Sequence, residues 1–163
     1  MKQWQWLIWL FAAGVLVVGC QTAAGEAAAT AVSLTIPPPP VLDPDEIALG
    51  KQVYDTYCAS CHGVHLEGEA NWKEQNEDGS FRAPPHDASG HTWHHADSLL
   101  IESVELGGVR FEGMNIGGTS NMPAFGDVLT DEEVTAVLTY IKSTWPEETR
   151  TTQWEVTVMT ENQ

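Results

Sequence analysis

Tyr54-Asp55-Thr56-Tyr57-Cys58-Ala59-Ser60-Cys61-His62 is the stretch on which the reading of this chain turns. It contains a C-x-x-C-H. Two thiols separated by two residues face one side of a helical turn, so each can meet one vinyl group of a porphyrin. The adjacent His62 then falls beneath the iron. C-x-x-C serves other chemistries too. A redox-active dithiol belongs to a βαβ context, and no part of this chain suggests one. A structural zinc site needs a second ligand pair. The chain has three Cys in all, so only His62 with a distant His remains for a weak Cys₂His₂ site. The motif therefore points to one covalently attached haem c, held through Cys58, Cys61 and His62.

Working outward, the residues before the motif read as a helix. Asp43 can cap it, Pro44 suits the first helical position, and Glu46 completes a capping box. Ile47, Gly50, Tyr54 and Tyr57 recur every three or four residues and mark one face. Gly50 in mid-helix costs about 1 kcal/mol relative to Ala, which predicts close approach of another helix. The expected partner begins at Thr130, a cap with Glu133 three residues on. Val134, Val137, Leu138 and Ile141 form its apolar stripe, Tyr140 stands beside it, and Pro146 stops it. A third helix is predicted from Asp97, read as its cap, to Leu106. Its apolar residues are Leu100, Ile101 and Val104, and Gly107-Gly108 ends it. Glu67 to His95 reads as loop folded around one haem edge, with Trp93 packed inside and Ser80–Arg82 extended. The expectation is all-α: three main helices with long loops around one haem, in a domain spanning residues 43–146. Three helices make a small core, and a large apolar ligand at its centre would supply what is missing.

These features resemble a class I cytochrome c across residues 43–146. The resemblance rests on Gly50 and Tyr54 before the C-x-x-C-H, on Tyr140 in the later helix, and on Asn121-Met122-Pro123-Ala124-Phe125-Gly126. In that family a Met just before the last main helix fills the sixth position of the iron, which implies Met122. Met114, in Phe111-Glu112-Gly113-Met114, lacks the following Pro and reads as core filler. Ala83-Pro84-Pro85 resembles the segment whose carbonyl accepts a hydrogen bond from the proximal His and fixes its ring. Pro84, Pro85 and Trp93 therefore join the expected cofactor-binding residues. His86 stands where the family often has Leu. Gly90-His91-Thr92-Trp93-His94-His95 resembles a block found in a bacterial subset of these cytochromes. His65, His86, His91, His94 and His95 each read singly as surface or hydrogen-bonding residues.

The resemblance implies single-electron transfer by a six-coordinate His/Met iron. Thioether ligation favours the ferrous state and a positive midpoint potential. No acid, base, nucleophile or small-molecule substrate is needed, so an electron carrier is expected and not an enzyme. The alternative, a haem enzyme or gas sensor, needs an open iron position, and the M-P-x-F loop weighs against it.

The termini add a location. Residues 1–19 carry Lys2 and an apolar run too short for a comfortable span of about 20 residues, so they read as a signal peptide. Val17-Val18-Gly19-Cys20 resembles the bacterial lipobox, which implies lipidation at Cys20. An uncleaved anchor and a plain signal peptide cut further on stay open. Residues 20–42 form an Ala/Pro-rich linker in which Pro37–Pro40 should be extended. Residues 147–163 form a C-terminal extension. Trp154, Val156 and Val158 alternate there, as in a strand or an extended segment laid on a partner, with a frayed tail as the other reading.

Asp and Glu total 23 against 7 Lys and Arg, a formal net charge of −16. That excess excludes a nucleic-acid partner and suits a basic redox protein. Anchor, linker, acidic haem domain and extension together are similar to the monohaem lipoprotein subunit of a quinol-oxidising complex such as alternative complex III. A free lipid-anchored carrier would read the same. Either would sit on the outer (periplasmic or extracytoplasmic) face of the cytoplasmic membrane, with a respiratory or photosynthetic electron-transport complex as partner.

Overall fold

Helix formation starts where the sequence signals it. In the computed structural model, which describes residues 36–162, Asp43 is extended and its carboxylate accepts the Asp45 N–H at 2.9 Å. The cap bond runs to Asp45, and the expected capping box with Glu46 does not form. Helix α1 covers Pro44–Val53. It passes through one π-helical turn, Tyr54–Cys58, into a short helix α2, Ala59–His62. The described residues fall in one unit of the chain, Thr35–Gln163. The signal-peptide reading, Cys20 and the linker up to residue 35 lie outside them.

The π turn corrects one expectation. The Ala59 N–H bonds back five residues to the Tyr54 carbonyl, so one extra residue enters the turn. Gly50, Val53, Tyr54 and Ala59 are buried, whereas Tyr57 swings out and is 40% exposed. Tyr57 therefore does not continue the buried face that spacing assigned to it. Its ring meets Phe125 edge-on at 5.9 Å.

Helix α4, Asp131–Ser143, packs against α1 more closely than any other pair of elements. Its start is the expected capping box: the Glu133 N–H donates to the Thr130 hydroxyl and the Thr130 N–H to the Glu133 carboxylate. Gly50 lies at the crossing. A Cβ added there would sit 1.8 Å from the Ala136 carbonyl oxygen and 2.9 Å from the Tyr140 Cβ. Only Gly permits this approach, as the cost of a mid-helix Gly suggested. Val53, Tyr54, Leu66, Leu100, Val134, Val137, Leu138, Ile141 and Trp145 form the core around it.

Helix α3 covers Asp97–Leu106 as predicted, but Asp97 is its first residue and Ala96 its cap, with no side-chain cap bond from Ala96. The orphan N–H of Asp97 is met from elsewhere, by the Thr157 hydroxyl at 3.1 Å. Thr157 belongs to helix α5, Glu147–Glu161, which replaces the strand or frayed tail expected for the extension. Pro146, after α4, becomes the cap residue of α5. The alternation of Trp154, Val156 and Val158 misled because α5 buries polar residues. Gln153 and Thr157 are each 2% exposed. The Gln153 amide donates to the Asp97 carboxylate, the His95 carbonyl and Thr157. Lys142 of α4 closes the cluster on Asp97 at 2.6 Å. Trp154 donates its indole N–H to the Pro37 carbonyl at 2.8 Å, which lays the linker's end against α5.

No strand forms among the described residues, in keeping with the all-α expectation. Two isolated bridges, Gln75 with Phe81 and Ser80 with Thr119, account for the extended residues near Ser80. None of the described helices is long and apolar enough to cross a membrane.

Two outcomes follow from this packing. Gly50→Ala must push α1 off α4, so it should cost at least the 1–3 kcal/mol typical of overpacking, read as a lowered thermal midpoint of the haem-loaded protein. Trp154→Phe removes the bond to Pro37 while keeping an aromatic ring, and should speed limited proteolysis around residues 36–42 with little change in the thermal midpoint.

Candidate functional site

His62 ends α2 and is 7% exposed. Its Nδ1–H donates to the Pro84 carbonyl at 2.8 Å. That bond fixes the tautomer and leaves Nε2 as the free lone-pair donor. Burial lowers the imidazole pKa, and the Pro84 carbonyl works against that shift. The backbone around His62 is held from α1. The Tyr54 hydroxyl, 0% exposed on its ring, lies 3.1 Å from the Gly63 carbonyl and 3.4 Å from that of His62. Desolvation pushes the Tyr54 phenol well up, so it stays a proton donor.

Pro84 is placed by a strip of backbone pairing. The Glu69 N–H donates to the Ala83 carbonyl, the Ala83 N–H to the Glu69 carboxylate, and the His86 N–H to the Leu66 carbonyl. Pro85 is fully buried. Two successive prolines fix φ and hold this strip extended.

The thiols differ in setting. Cys61 is exposed, Cys58 is half-buried, and both are free. Burial pushes the Cys58 thiol up to about 11.

Met122 lies on the far side of α3 in sequence, in a loop that depends on Gly107-Gly108. Its carbonyl accepts the Gly108 N–H at 2.8 Å, and its own N–H donates to the Ser120 hydroxyl at 3.3 Å. Gly107 has φ +54°, and a Cβ there would come within 2.5 Å of the carbonyl oxygens of Met122 and Pro123. The same loop lies along the end of α3, with the Phe125 N–H on the Val104 carbonyl and the Gly126 N–H on that of Glu105. Met122 is half-buried beside a cleft of about 300 Å³, lined also by Phe111 and Thr119. Met114 is 57% exposed. It is not core filler: it stands in an exposed loop directly after Gly113, which has φ +78°.

Trp93 sits in a 3₁₀ turn, Thr92–His94, partly buried against the core. Its indole Nε1–H is shielded from water and has no protein partner. The neighbouring imidazoles are used in ring contacts: His94 on Trp93 at 3.6 Å, His91 on Trp72 at 5.4 Å, and His95 edge-on to His91. Among the described residues no group of three His, Cys, Asp or Glu is arranged to hold a metal ion.

These residues fit haem c. Two unpaired thiols flank a turn that ends in a His with a committed Nδ1 and a free Nε2. A buried indole N–H lacks an acceptor, and a porphyrin carries two carboxylates.

The sequence reading did not find Trp145. It is 4% exposed and donates its indole N–H to the His86 carbonyl at 2.7 Å. Nor did it place the His86 ring, which lies flat on that of His62 with centroids 3.9 Å apart. Burial keeps His86 well below the usual imidazole range. The departure from Leu at this position was the visible signal.

Residues 47–145 match the cytochrome c family. The chain is also similar to cytochrome c6 of Diacronema lutheri, 28% identical over 102 residues, which cover 60% of this chain and 95% of that protein. No solved structure matches the chain. The family match runs from the first turn of α1 to Trp145 beyond α4, through every element that shapes the surroundings of His62, and the chain accordingly belongs to the cytochrome c family: it carries covalently bound haem c and acts as an electron carrier.

Proposed function

We propose that Cys58 and Cys61 form the two thioether bonds, that His62 and Met122 are the axial ligands, and that the chain relays single electrons while tethered to the outer face of the cytoplasmic membrane through Cys20. The hydrogen bond from His62 Nδ1 to Pro84 carries this reading, because it commits the ring to ligation through Nε2. Haem bound there supplies a centre that gains or loses one electron without exchanging ligands.

The chain's own residues do the rest. Tyr54 and Pro84 hold His62 from two sides, which limits reorganisation between redox states. Gly107 and Gly108 let the Met122 loop lie close on the end of α3. Trp93 offers a buried N–H to a carboxylate of the bound group. The net charge of −16 draws basic redox partners and speeds encounter more than it tightens it.

Two settings fit this relay: a fixed subunit of a quinol-oxidising complex, and a free lipid-anchored carrier. The folding of residues 147–161 onto α3 of their own domain favours the carrier, since an extended C-terminus was the feature suited to strapping the chain to a partner subunit.

The ligand assignment predicts that Met122→Ala abolishes the weak far-red charge-transfer band of the ferric protein and that Met114→Ala preserves it. The opposite pattern would give the sixth position to Met114. Redox titration should give a positive midpoint potential, and a negative one would call for another ligand. Mass spectrometry of the mature protein should show a lipid-bearing Cys20 as its first residue. An unmodified terminus further along would remove the tether.

A further inference from the structure

One hydrogen bond fixes a point on a ring and leaves its plane free to tilt. The Nδ1–H of His62 is tied to the Pro84 carbonyl, yet the imidazole can still rock about that contact. The face of the ring meets His86, whose imidazole lies 3.9 Å away, centroid to centroid, at an interplanar angle of 19°. A flat partner at van der Waals distance resists rocking in a way that a branched aliphatic side chain does not.

His86 is itself held from several directions. Its N–H donates to the Leu66 carbonyl at 2.8 Å, and the next N–H, of Asp87, reaches the same oxygen at 3.2 Å. Its carbonyl accepts the Trp145 indole N–H at 2.7 Å. The Tyr54 ring meets its ring edge-on at 6.0 Å. Trp145 is part of the core at the end of α4. The His86 backbone is therefore pinned on the N–H side by the loop and on the carbonyl side by the helical frame.

We propose that His86 is a positioning residue for the proximal ligand, setting the plane of the His62 imidazole by ring stacking, and that Trp145 locks His86 in place for this role. The inference rests on His62 being an axial ligand. The plane of an axial imidazole decides how its π orbital overlaps the iron d orbitals, so ring orientation is a control on the electronic state and potential of the metal. The chain thus uses the far end of α4, through one indole N–H and one flat ring, to tune a ligand on α2.

The test uses the ferric, haem-loaded full-length protein. Electron paramagnetic resonance reads the g-tensor, and NMR reads the paramagnetically shifted His62 ring resonances. The wild-type spectrum is taken first: a high-spin signal, or no far-red Met–iron band, would defeat the ligand assignment before any variant is made. Given His/Met ligation, His86→Leu should keep that band and shift and broaden the g-values, with a measurable change in midpoint potential. Trp145→Phe, which keeps an aromatic in the core, should move the g-values in the same direction by less. His86→Phe restores a flat face and should bring the g-values back toward wild type. Unchanged g-values and His62 resonances in haem-loaded His86→Leu would overturn the role of His86. So would a His86→Phe protein that resembles His86→Leu. An unchanged Trp145→Phe spectrum would overturn the lock by Trp145.

Discussion

Where α1 crosses α4, Gly50 sets its bare Cα against the carbonyl of Ala136. The separation of the two helices at that point is smaller than any side chain allows, and the hold of α1 on the backbone around His62 follows from it. One turn later Tyr54 meets Tyr140 at 5.4 Å and is sealed from water. Its hydroxyl has no escape except to the carbonyls of His62 and Gly63. Burying that hydroxyl without a partner would cost about 1–3 kcal/mol, so the end of the C-x-x-C-H turn is held by the penalty for breaking the contact as much as by its gain. A helix crossing thereby fixes the backbone of His62, twelve residues along the chain.

The π turn between them belongs to the same logic. A continuous α-helix from Pro44 to His62 would keep Tyr57 near the buried face of Tyr54. With one residue added to the turn, Tyr57 is turned out toward Phe125, three residues beyond Met122. The motif and the loop that follows α3 thus touch at a residue displaced by a π turn, a feature frequent at functional sites.

Much of this was legible from residues alone. Caps at Asp43 and Thr130, the bounds of α3, the meaning of Gly50 and the placing of a carbonyl from Pro84 against His62 all rest on local chemistry or on a family pattern carried by few residues. Tyr57 was misplaced because a period of 3.6 cannot reveal a turn that breaks it. Helix α5 was missed for a different reason. Hydrophobic periodicity finds helices that bury apolar stripes, and α5 buries Gln153 and Thr157. Its task is to satisfy polar groups: the orphan N–H of Asp97, the His95 carbonyl and the carboxylate that Lys142 also reaches. Asp97 reads as a cap in isolation, yet its carboxylate is spent on α4 and α5, and its N–H is capped from α5. His86 and Trp145 were hidden because nothing in one sequence says that residues 59 positions apart share a hydrogen bond.

The charge distribution bears on how such a carrier meets its partners. The basic residues of the described region are few, and most are turned to the chain's own groups. Lys51 pairs with Asp55, Arg110 with Glu102 and Lys142 with Asp97. Arg82 donates to the Ala70 carbonyl, and Lys73 lies over the Trp72 ring. Each pair neutralises one carboxylate, and the 23 Asp and Glu against 7 Lys and Arg leave a net negative field. At physiological salt that field fades over roughly 8 Å, short enough that it guides the last approach without holding the complex together. Electron carriers that release a partner after each electron gain more from fast encounter than from tight binding, and long-range charge supplies the first without the second.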